Sequence, residues 1–173
     1  MTLVRYLLIG GSFKYNFWMR TCRFAKCNNI LKFTVFPFAR IMLHRLTYKF
    51  GISIACATEI GSGFYIGHFG GIVVHSKTVI GKNCNISQGV TLGQANRGKN
   101  KGYPTIGDNV YIGPGAKIVG AVKIGNNVAI GANCVVTKDI PDDSVVVGVP
   151  GRVISQEGSE GYVVRTDYEN KLK

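Results

Sequence analysis

The sequence has few acidic residues, few prolines and no long uncharged apolar run. Only 9 Asp and Glu oppose 21 Lys and Arg in 173 residues, which leaves a net charge of +12 and favours anionic partners. With 5 prolines and no G-X-Y period, the 23 glycines exclude collagen and indicate many tight turns. No stretch of about 20 residues is both uncharged and compatible with a helix, which argues against a membrane-spanning helix.

Cysteines are also few, and their spacing does not suggest a metal site. The five are Cys22, Cys27, Cys56, Cys84 and Cys134, an odd number. The N-terminus lacks a signal-peptide pattern because its apolar stretch is soon followed by two glycines. These features predict a reducing, cytoplasmic location. With 46% hydrophobic and 17% charged residues, the chain is expected to fold as one domain.

Residues 1–50 form a basic, aromatic segment that contains nine Lys and Arg and no acidic residue. We predict two short helices here, separated by a break at Pro37. Two interpretations of the segment remain open. Its basic and aromatic side chains contact the inner face of an anionic membrane, or its helices pack on the rest of the protein or on a neighbouring copy. No nucleic-acid recognition motif accompanies the charge, so nucleic acid is not an expected partner.

A six-residue repeat organises most of the remaining chain. The repeated aliphatic positions are Ile54, Ile60, Ile66, Ile72, Ile80, Ile86, Leu92, Ile106, Ile112, Ile118, Ile124, Ile130 and Val136, and glycine follows many of them. Neither a helix nor a simple alternating strand produces this period. In a parallel β-helix each hexad forms one flat side of a prism, with the aliphatic residue inside and a small residue at the corner. The pattern therefore predicts an all-β solenoid over residues 51–154.

The repeat is interrupted twice. Ile80 follows Ile72 at an interval of eight positions in place of six, which indicates two extra residues near His75, and Ile106 follows Leu92 at an interval of fourteen. The second interruption predicts that residues 93–105, which are polar, basic and rich in glycine, leave the prism as a loop. Residues 137–154 are expected to form a closing cap, and residues 155–173 a polar, loosely held tail.

Three segments of the chain resemble the hexapeptide-repeat acyltransferases. They are IGHFGGIVVHSKTVIGKN (66–83), ISQGVTLGQ (86–94) and VVTKDIPDDSVVVGVPGRVI (135–154). The resemblance is to the serine acetyltransferase-like branch, and within it to short chains associated with polysaccharide synthesis. It implies a left-handed parallel β-helix with an N-terminal helical segment, a homotrimer, and acetyl-CoA bound in a groove between neighbouring prisms.

The resemblance also implies roles for individual residues. His68 aligns with the catalytic histidine, and an imidazole can take a hydroxyl proton at neutral pH and return it to a leaving thiolate. The implied acetyl-CoA positions are Gly93, Gly113, Ala132, Thr137, Lys138 and Arg152. Small residues there would admit the pantetheine arm, and the cations would meet phosphates. No metal is expected. His75 is an auxiliary candidate and His44 a structural residue.

The predicted acceptor positions depart from the serine-specific pattern. Ser53 and Gly67 stand where serine-specific members have acidic residues, and Gly102 and Tyr103 replace an Arg-His pair. Serine is a zwitterion, so tight binding needs a carboxylate for its ammonium group and a cation for its carboxylate. We therefore expect Ser53, Gly67 and Tyr103 to line a site for a neutral acceptor. The favoured interpretation is O-acetylation of a sugar in cell-surface polysaccharide synthesis, and the alternative is L-serine O-acetylation.

Three further alternatives remain. One is a non-catalytic trimeric scaffold in which His68 has no chemical role. Another is a zinc hydratase of the γ-carbonic anhydrase type, although His44 lies outside the repeat and the spacing of His68 and His75 does not match that family. The third is a cysteine nucleophile, which the inward repeat positions of Cys84 and Cys134 argue against.

Overall fold

The chain begins with a helical hairpin that leads directly into a β-solenoid. The structure, a computed structural model, describes residues 10–164. The ends of the predicted basic segment (1–9) and polar tail (165–173) lie outside the described residues. Helix α1 spans Gly11–Lys26 and helix α2 spans Asn29–Phe50. No described helix is long and apolar enough to cross a membrane.

The break between the two helices is at Cys27 and Asn28, and the expected break at Pro37 is wrong. The side chain of Asn28 accepts hydrogen bonds from the backbone N–H groups of Ile30 and Leu31, which fixes the start of α2. Pro37 lies inside α2. The helix continues past it because Ala39, Leu43 and Leu46 are buried beyond it, and this packing offsets the lost backbone hydrogen bond.

Three parallel sheets form the sides of the prism. Side A contains β1 (Ile52–Ile54), β4 (Ile72–Val74), β7 (Thr91–Gly93), β10 (Lys117–Val119) and β13 (Val135–Val136). Side B contains β2 (Glu59–Ile60), β5 (Val79–Ile80), β8 (Thr105–Ile106) and β11 (Lys123–Ile124). Side C contains β3 (Tyr65–Ile66), β6 (Asn85–Ile86), β9 (Tyr111–Ile112), β12 (Ala129–Ile130) and β14 (Val145–Val147). We call the corners between successive sides edges AB, BC and CA.

The aliphatic repeat positions stack inside the prism, as predicted. On side C, Ile66 pairs with Ile86, Ile86 with Ile112, and Ile112 with Ile130. Sides A and B carry equivalent columns, and nearly all of these side chains are buried. Each coil therefore covers the apolar surface of the next, which is how a solenoid with no thick core stays folded.

The register corrects the position of the first interruption. Val74, not Ile72, pairs with Leu92 and so occupies the repeat position in its coil. Six residues separate Ile66 from Val73, whereas four separate their partners Ile86 and Thr91. The two extra residues therefore lie in the segment 67–71 at edge CA, around His68 and not near His75. Ile72 and Val74 are both buried, so the sequence pattern could not distinguish them.

A column of asparagines lines edge BC. Asn83, Asn109 and Asn127 all have positive φ, between 54° and 55°, which asparagine tolerates better than most residues. The Nδ2 of each donates to the Oδ1 of the next at 3.0 Å, and the last donates to Asp143 Oδ1. This ladder joins four coils at the same corner.

The last strand ends the parallel stacking. Strand β15 (Arg152–Ser155) turns back and pairs antiparallel with β14, with an irregularity between Val145 and Val146. An antiparallel strand cannot continue the parallel coil, so it closes this end of the prism. At the other end, the buried Tyr15 of α1 bonds to both backbone groups of Ile54 through its hydroxyl, at 3.0 and 2.9 Å.

Candidate functional site

His68 lies on an enlarged corner of the prism. The segment 67–71 joins β3 to β4 at edge CA, and the His68 side chain is exposed there. Gly70 and Gly71 follow with φ values of 115° and 63°, a region that favours glycine, so the corner turns back to side A directly after Phe69. The two extra residues project His68 from the prism, where its imidazole can meet a substrate.

The helical hairpin contacts this corner, and the repeat pattern of the sequence does not indicate this contact. The rings of Phe50, at the end of α2, and Phe69 lie 4.9 Å apart between centroids at an angle of 53°. A Cβ added to Gly11 would come within 2.9 Å of Phe50 and 3.1 Å of Phe69, so α1 also approaches closely. The signal in the sequence was the aromatic residue directly after the candidate histidine. Its partner could not be inferred from a repeat count.

A groove of about 1110 Å³ runs between α1 and the first coil and reaches Gly67, next to His68. Phe13, Phe17 and Phe64 contribute apolar surface to it. The Oδ1 atom of Asn16 is buried and has no hydrogen-bond partner among the described residues. The groove therefore has a partly apolar lining and ends at Gly67, one residue before the candidate histidine.

Three of the predicted acetyl-CoA positions share edge CA with His68. Gly113 follows β9, Ala132 follows β12, and Arg152 pairs with Val147 at the end of β14. Ala132 and Arg152 are exposed. Gly113 is buried, and a Cβ there would lie 2.9 Å from both Ala132 N and Ile130 O. The prism itself therefore requires glycine at this position, whether or not a cofactor contacts it.

The other three predicted acetyl-CoA positions lie at edge AB. Gly93 ends β7, and Thr137 and Lys138 follow β13. The loop of residues 94–104 leaves the prism at this edge and returns, with a bridge between Ala95 and Gly102. Asn100 Nδ2 donates to the backbone oxygen of Thr137 at 2.7 Å, which ties the loop to this edge. The structure thus divides the predicted cofactor residues between two edges of side A.

Tyr103 is part of a cluster at the base of this loop. Its ring stacks on His75, with centroids 4.4 Å apart and an angle of 27°, and Lys77 Nζ lies 5.3 Å from the Tyr103 centroid. His75 Nδ1 accepts the backbone N–H of Lys77 at 3.1 Å, which fixes the orientation of the ring. His75 and Tyr103 are at edge AB, at the opposite end of β4 from His68.

The remaining acceptor candidates differ in their surroundings. Ser53 is exposed at the middle of β1 on side A, beside Val73 of the next coil. Gly67 ends side C next to His68, and an added Cβ there would meet no atom closer than 3.7 Å. A Cβ therefore fits at Gly67, so packing does not require glycine at this position.

Cysteine and metal chemistry are poorly placed in the described part of the chain. Cys84 and Cys134 are fully buried, and burial raises the pKa of Cys84 to about 12 and that of Cys134 above its ordinary value. Such thiols are poor nucleophiles at neutral pH. Between residues 10 and 164, no three His, Cys, Asp or Glu side chains are grouped to hold a metal ion.

Comparison with known proteins gives consistent results in sequence and structure. Residues 103–138 match the family described as bacterial transferase hexapeptide (six repeats). The serine acetyltransferase of Synechococcus elongatus is 42% identical over 119 residues, which cover 69% of this chain and 49% of the relative. The chain thus spans about half the length of this relative.

Two solved structures share the fold. The serine acetyltransferase of Brucella abortus in complex with coenzyme A matches with a TM-score of 0.75 and 31% identity, over 90% of this chain and 60% of that one. That of Neisseria gonorrhoeae in complex with serine matches with a TM-score of 0.71 and 30% identity, over 88% and 60%. The predicted left-handed parallel β-helix with an N-terminal helical segment is confirmed. Residues 103–138 carry the hexapeptide transferase repeat, and over most of its length the chain is similar to serine acetyltransferases, which are close homologues of it.

Proposed function

We propose that this chain transfers an acetyl group from acetyl-CoA to a hydroxyl acceptor, with His68 as general base. The observation that carries the proposal is the exposed imidazole on the enlarged corner of edge CA, in line with Ala132 and Arg152. Arg152 offers a cation for the phosphates of CoA, and the small Ala132 leaves room for its pantetheine arm. The complex of the Brucella relative with coenzyme A supports the same ligand here.

The proposed reaction is direct transfer within a ternary complex. His68 takes the proton of the acceptor hydroxyl as the oxygen attacks the thioester carbonyl carbon. Collapse of the tetrahedral intermediate breaks the bond between carbon and sulfur, and the imidazolium returns the proton to the thiolate. Backbone N–H groups stabilise the oxyanion. No covalent acyl-enzyme is required, in agreement with the buried state of Cys84 and Cys134.

The proposed site is completed by a second copy of the chain in a homotrimer. Lys138 and Gly93 lie at edge AB, whereas His68 lies at edge CA, so the two sets of residues are at opposite ends of side A. One acetyl-CoA in contact with both sets is most simply held between edge CA of one prism and edge AB of a neighbour. Tyr103 and the loop 94–104 of the neighbour would then face His68.

Mixed trimers test this arrangement. His68→Ala and Lys138→Glu change opposite edges, so coexpressed variants should form trimers in which some sites carry neither change. We expect the mixture to regain a fraction of wild-type turnover, whereas each variant alone stays inactive. Two inactive variants that remain inactive when mixed would contradict a shared site.

L-serine is the first candidate acceptor. The relatives are named serine acetyltransferase, which supports serine better than the sugar acceptor that the sequence favoured. A sugar hydroxyl of cell-surface polysaccharide synthesis remains the second candidate because Ser53 and Gly67 provide no carboxylate for the ammonium group of serine. Glu59 stands at the start of β2 on another side of the prism and does not replace them within the chain.

Thiol release from acetyl-CoA distinguishes these acceptors. The purified protein is assayed with L-serine and with nucleotide and lipid-linked sugars, beside His68→Ala and the matched control His44→Ala, whose histidine lies on α2. If turnover falls by about 10²–10⁴-fold in His68→Ala and not in His44→Ala, this supports the role of His68 as general base. Unchanged turnover in His68→Ala would refute it, and no turnover with any acceptor would favour the scaffold.

A second variant tests acceptor recognition directly. Gly67→Asp restores an acidic residue beside His68 at a position where a side chain fits. If serine is the acceptor, we expect the KM for serine to fall, because the carboxylate can pair with its ammonium group. Improved use of serine that leaves sugar turnover unchanged supports serine, whereas an unchanged KM for serine favours the sugar.

A further inference from the structure

Helix α2 is apolar on two opposite faces. Its inner face, with Ala39, Leu43 and Leu46, is buried in the protein. Ile30, Phe33, Pro37, Ile41, His44 and Tyr48 follow one another at intervals of three or four residues and so share the opposite face. Ile30, Phe33 and Tyr48 are 76%, 79% and 76% exposed, and Ile41 is 55% exposed. We call this row the outer face of α2.

The outer face is flanked by basic residues and by no acidic ones. Arg40 and Arg45 lie on the two sides of this row at helical spacing, and Lys32 and Lys49 are exposed elsewhere on α2. No Asp or Glu occurs between residues 10 and 58. Two other cations of the hairpin, Arg20 and Arg23 of α1, stabilise the fold because they donate to carbonyl oxygens of the first coil at 2.7 and 2.8 Å. The charge beside the outer face is not used in this way.

Apolar and aromatic side chains between basic residues are typical of helices that bind the surface of an anionic bilayer. An amphipathic helix of this type lies in the plane of an anionic bilayer, with its apolar residues about 5–10 Å deep and its cations among the headgroups. Helix α2 cannot span a membrane, as the fold shows. We propose that the outer face of α2 binds the surface of an anionic lipid bilayer.

Charge complementarity favours lipid over a second copy of the chain. Two outer faces packed against each other would bring Arg40 and Arg45 of both copies together with no acidic residue of the hairpin to pair with them. An anionic surface supplies the missing charge. The proposal does not depend on acetyl transfer.

Cosedimentation with vesicles tests the proposal on the whole chain. The vesicles contain phosphatidylcholine alone, or phosphatidylcholine with about one third phosphatidylglycerol. We expect the wild-type protein to bind the anionic vesicles, to bind neutral ones at least tenfold more weakly, and to dissociate as salt is raised. Removing one cation should lower the partition coefficient about fivefold, which corresponds to about 1 kcal/mol per basic residue.

Two triple variants separate the apolar and electrostatic contributions. One is Ile30→Gln, Phe33→Gln and Ile41→Gln, and the other is Arg40→Gln, Arg45→Gln and Lys49→Gln. The matched control, Ile154→Gln with Val164→Gln, changes exposed apolar residues near the far end of the prism. All six hairpin positions are exposed, so unfolding midpoints should stay within a few degrees and confirm the fold.

The outcomes are distinct. Loss of vesicle binding in both triple variants, with binding kept in the control, supports the proposal. It is overturned if the wild-type protein binds neither vesicle, or if the apolar variant binds as the wild type does. A change of oligomeric state in the apolar variant without a change in vesicle binding also overturns it and assigns the face to a second copy of the chain.

Discussion

Phe69 packs against Phe50, with ring centroids 4.9 Å apart, and thereby joins the corner that carries His68 to the end of helix α2. The corner is otherwise a short glycine-containing segment with two residues more than its counterpart in the next coil. A general base must be held near its working position, and a flexible segment does this poorly. In the proposed reaction, the hairpin therefore positions His68 as the general base.

We expect Phe69→Ala to lower kcat/KM for acetyl transfer about 10- to 100-fold, because the corner loses its contact with α2. The cost in stability should stay near 1 kcal/mol, since Phe69 is 49% exposed. Phe38→Ala is the matched control: it removes another aromatic contact of the hairpin, with Trp18, away from the corner. Equal losses of kcat/KM in both variants would show a general effect of the hairpin and not positioning of His68.

Glycines with the same predicted role should respond differently to substitution. Gly113→Ala places a Cβ 2.9 Å from backbone atoms of the next coil, and we expect about 1–3 kcal/mol of destabilisation in thermal unfolding. Gly93→Ala meets only side-chain carbons at 3.6 and 3.7 Å, so its fold should be nearly unaffected. A higher KM for acetyl-CoA in Gly93→Ala at unchanged stability would support its role in binding. Equal stability of both variants would contradict the packing argument.

Most of the prism could be predicted from the sequence, because one inward aliphatic residue in every six is enough to locate the strands of each side. The register of a side was predictable only where one candidate aliphatic residue existed. Ile72 and Val74 are both buried in the same strand, so the pattern placed the extra residues near His75 instead of His68. Only the pairing of Val74 with Leu92 in the folded protein shows which of the two residues occupies the repeat position.

The helices and the site were less predictable for the same reason. Pro37 indicated a break by local chemistry, but packing of Leu43 and Leu46 keeps the helix intact. The sequence was sufficient to identify His68 as the candidate base. It was not sufficient to predict that the cofactor positions are divided between edges CA and AB, because this depends on which corner each residue reaches after several turns of the chain.

The asparagine ladder at edge BC should contribute measurably to stability. Asn109→Gly keeps a residue that accepts the φ of 55° but removes side-chain hydrogen bonds to both Asn83 and Asn127. We expect a loss of about 1–3 kcal/mol in denaturant unfolding. Asn96→Gly, in the exposed part of the loop 94–104, should cost much less. A similar cost at both positions would mean that the ladder adds nothing beyond backbone entropy.

The buried thiol of Cys84 predicts a dependence of stability on alkaline pH. Burial raises its pKa from 9.0 to about 12 in the folded protein, so the unfolded chain loses this proton first. The thiol therefore favours folding below about pH 9, and its contribution declines as the pH rises from 9 to 12. We expect the free energy of unfolding to fall more steeply in this range for the wild type than for Cys84→Ala. Parallel profiles would contradict the raised pKa.

The enlarged corner at residues 67–71 carries the candidate base but takes no part in the strand pairing that holds the prism together. The strands before and after it keep their pairing with the next coil although the corner has two more residues. Insertions at a corner of such a scaffold can therefore be accepted without disturbing the columns inside. New acceptor specificities can arise, or be engineered, by changing corner length and composition alone, while the repeat that carries them stays the same.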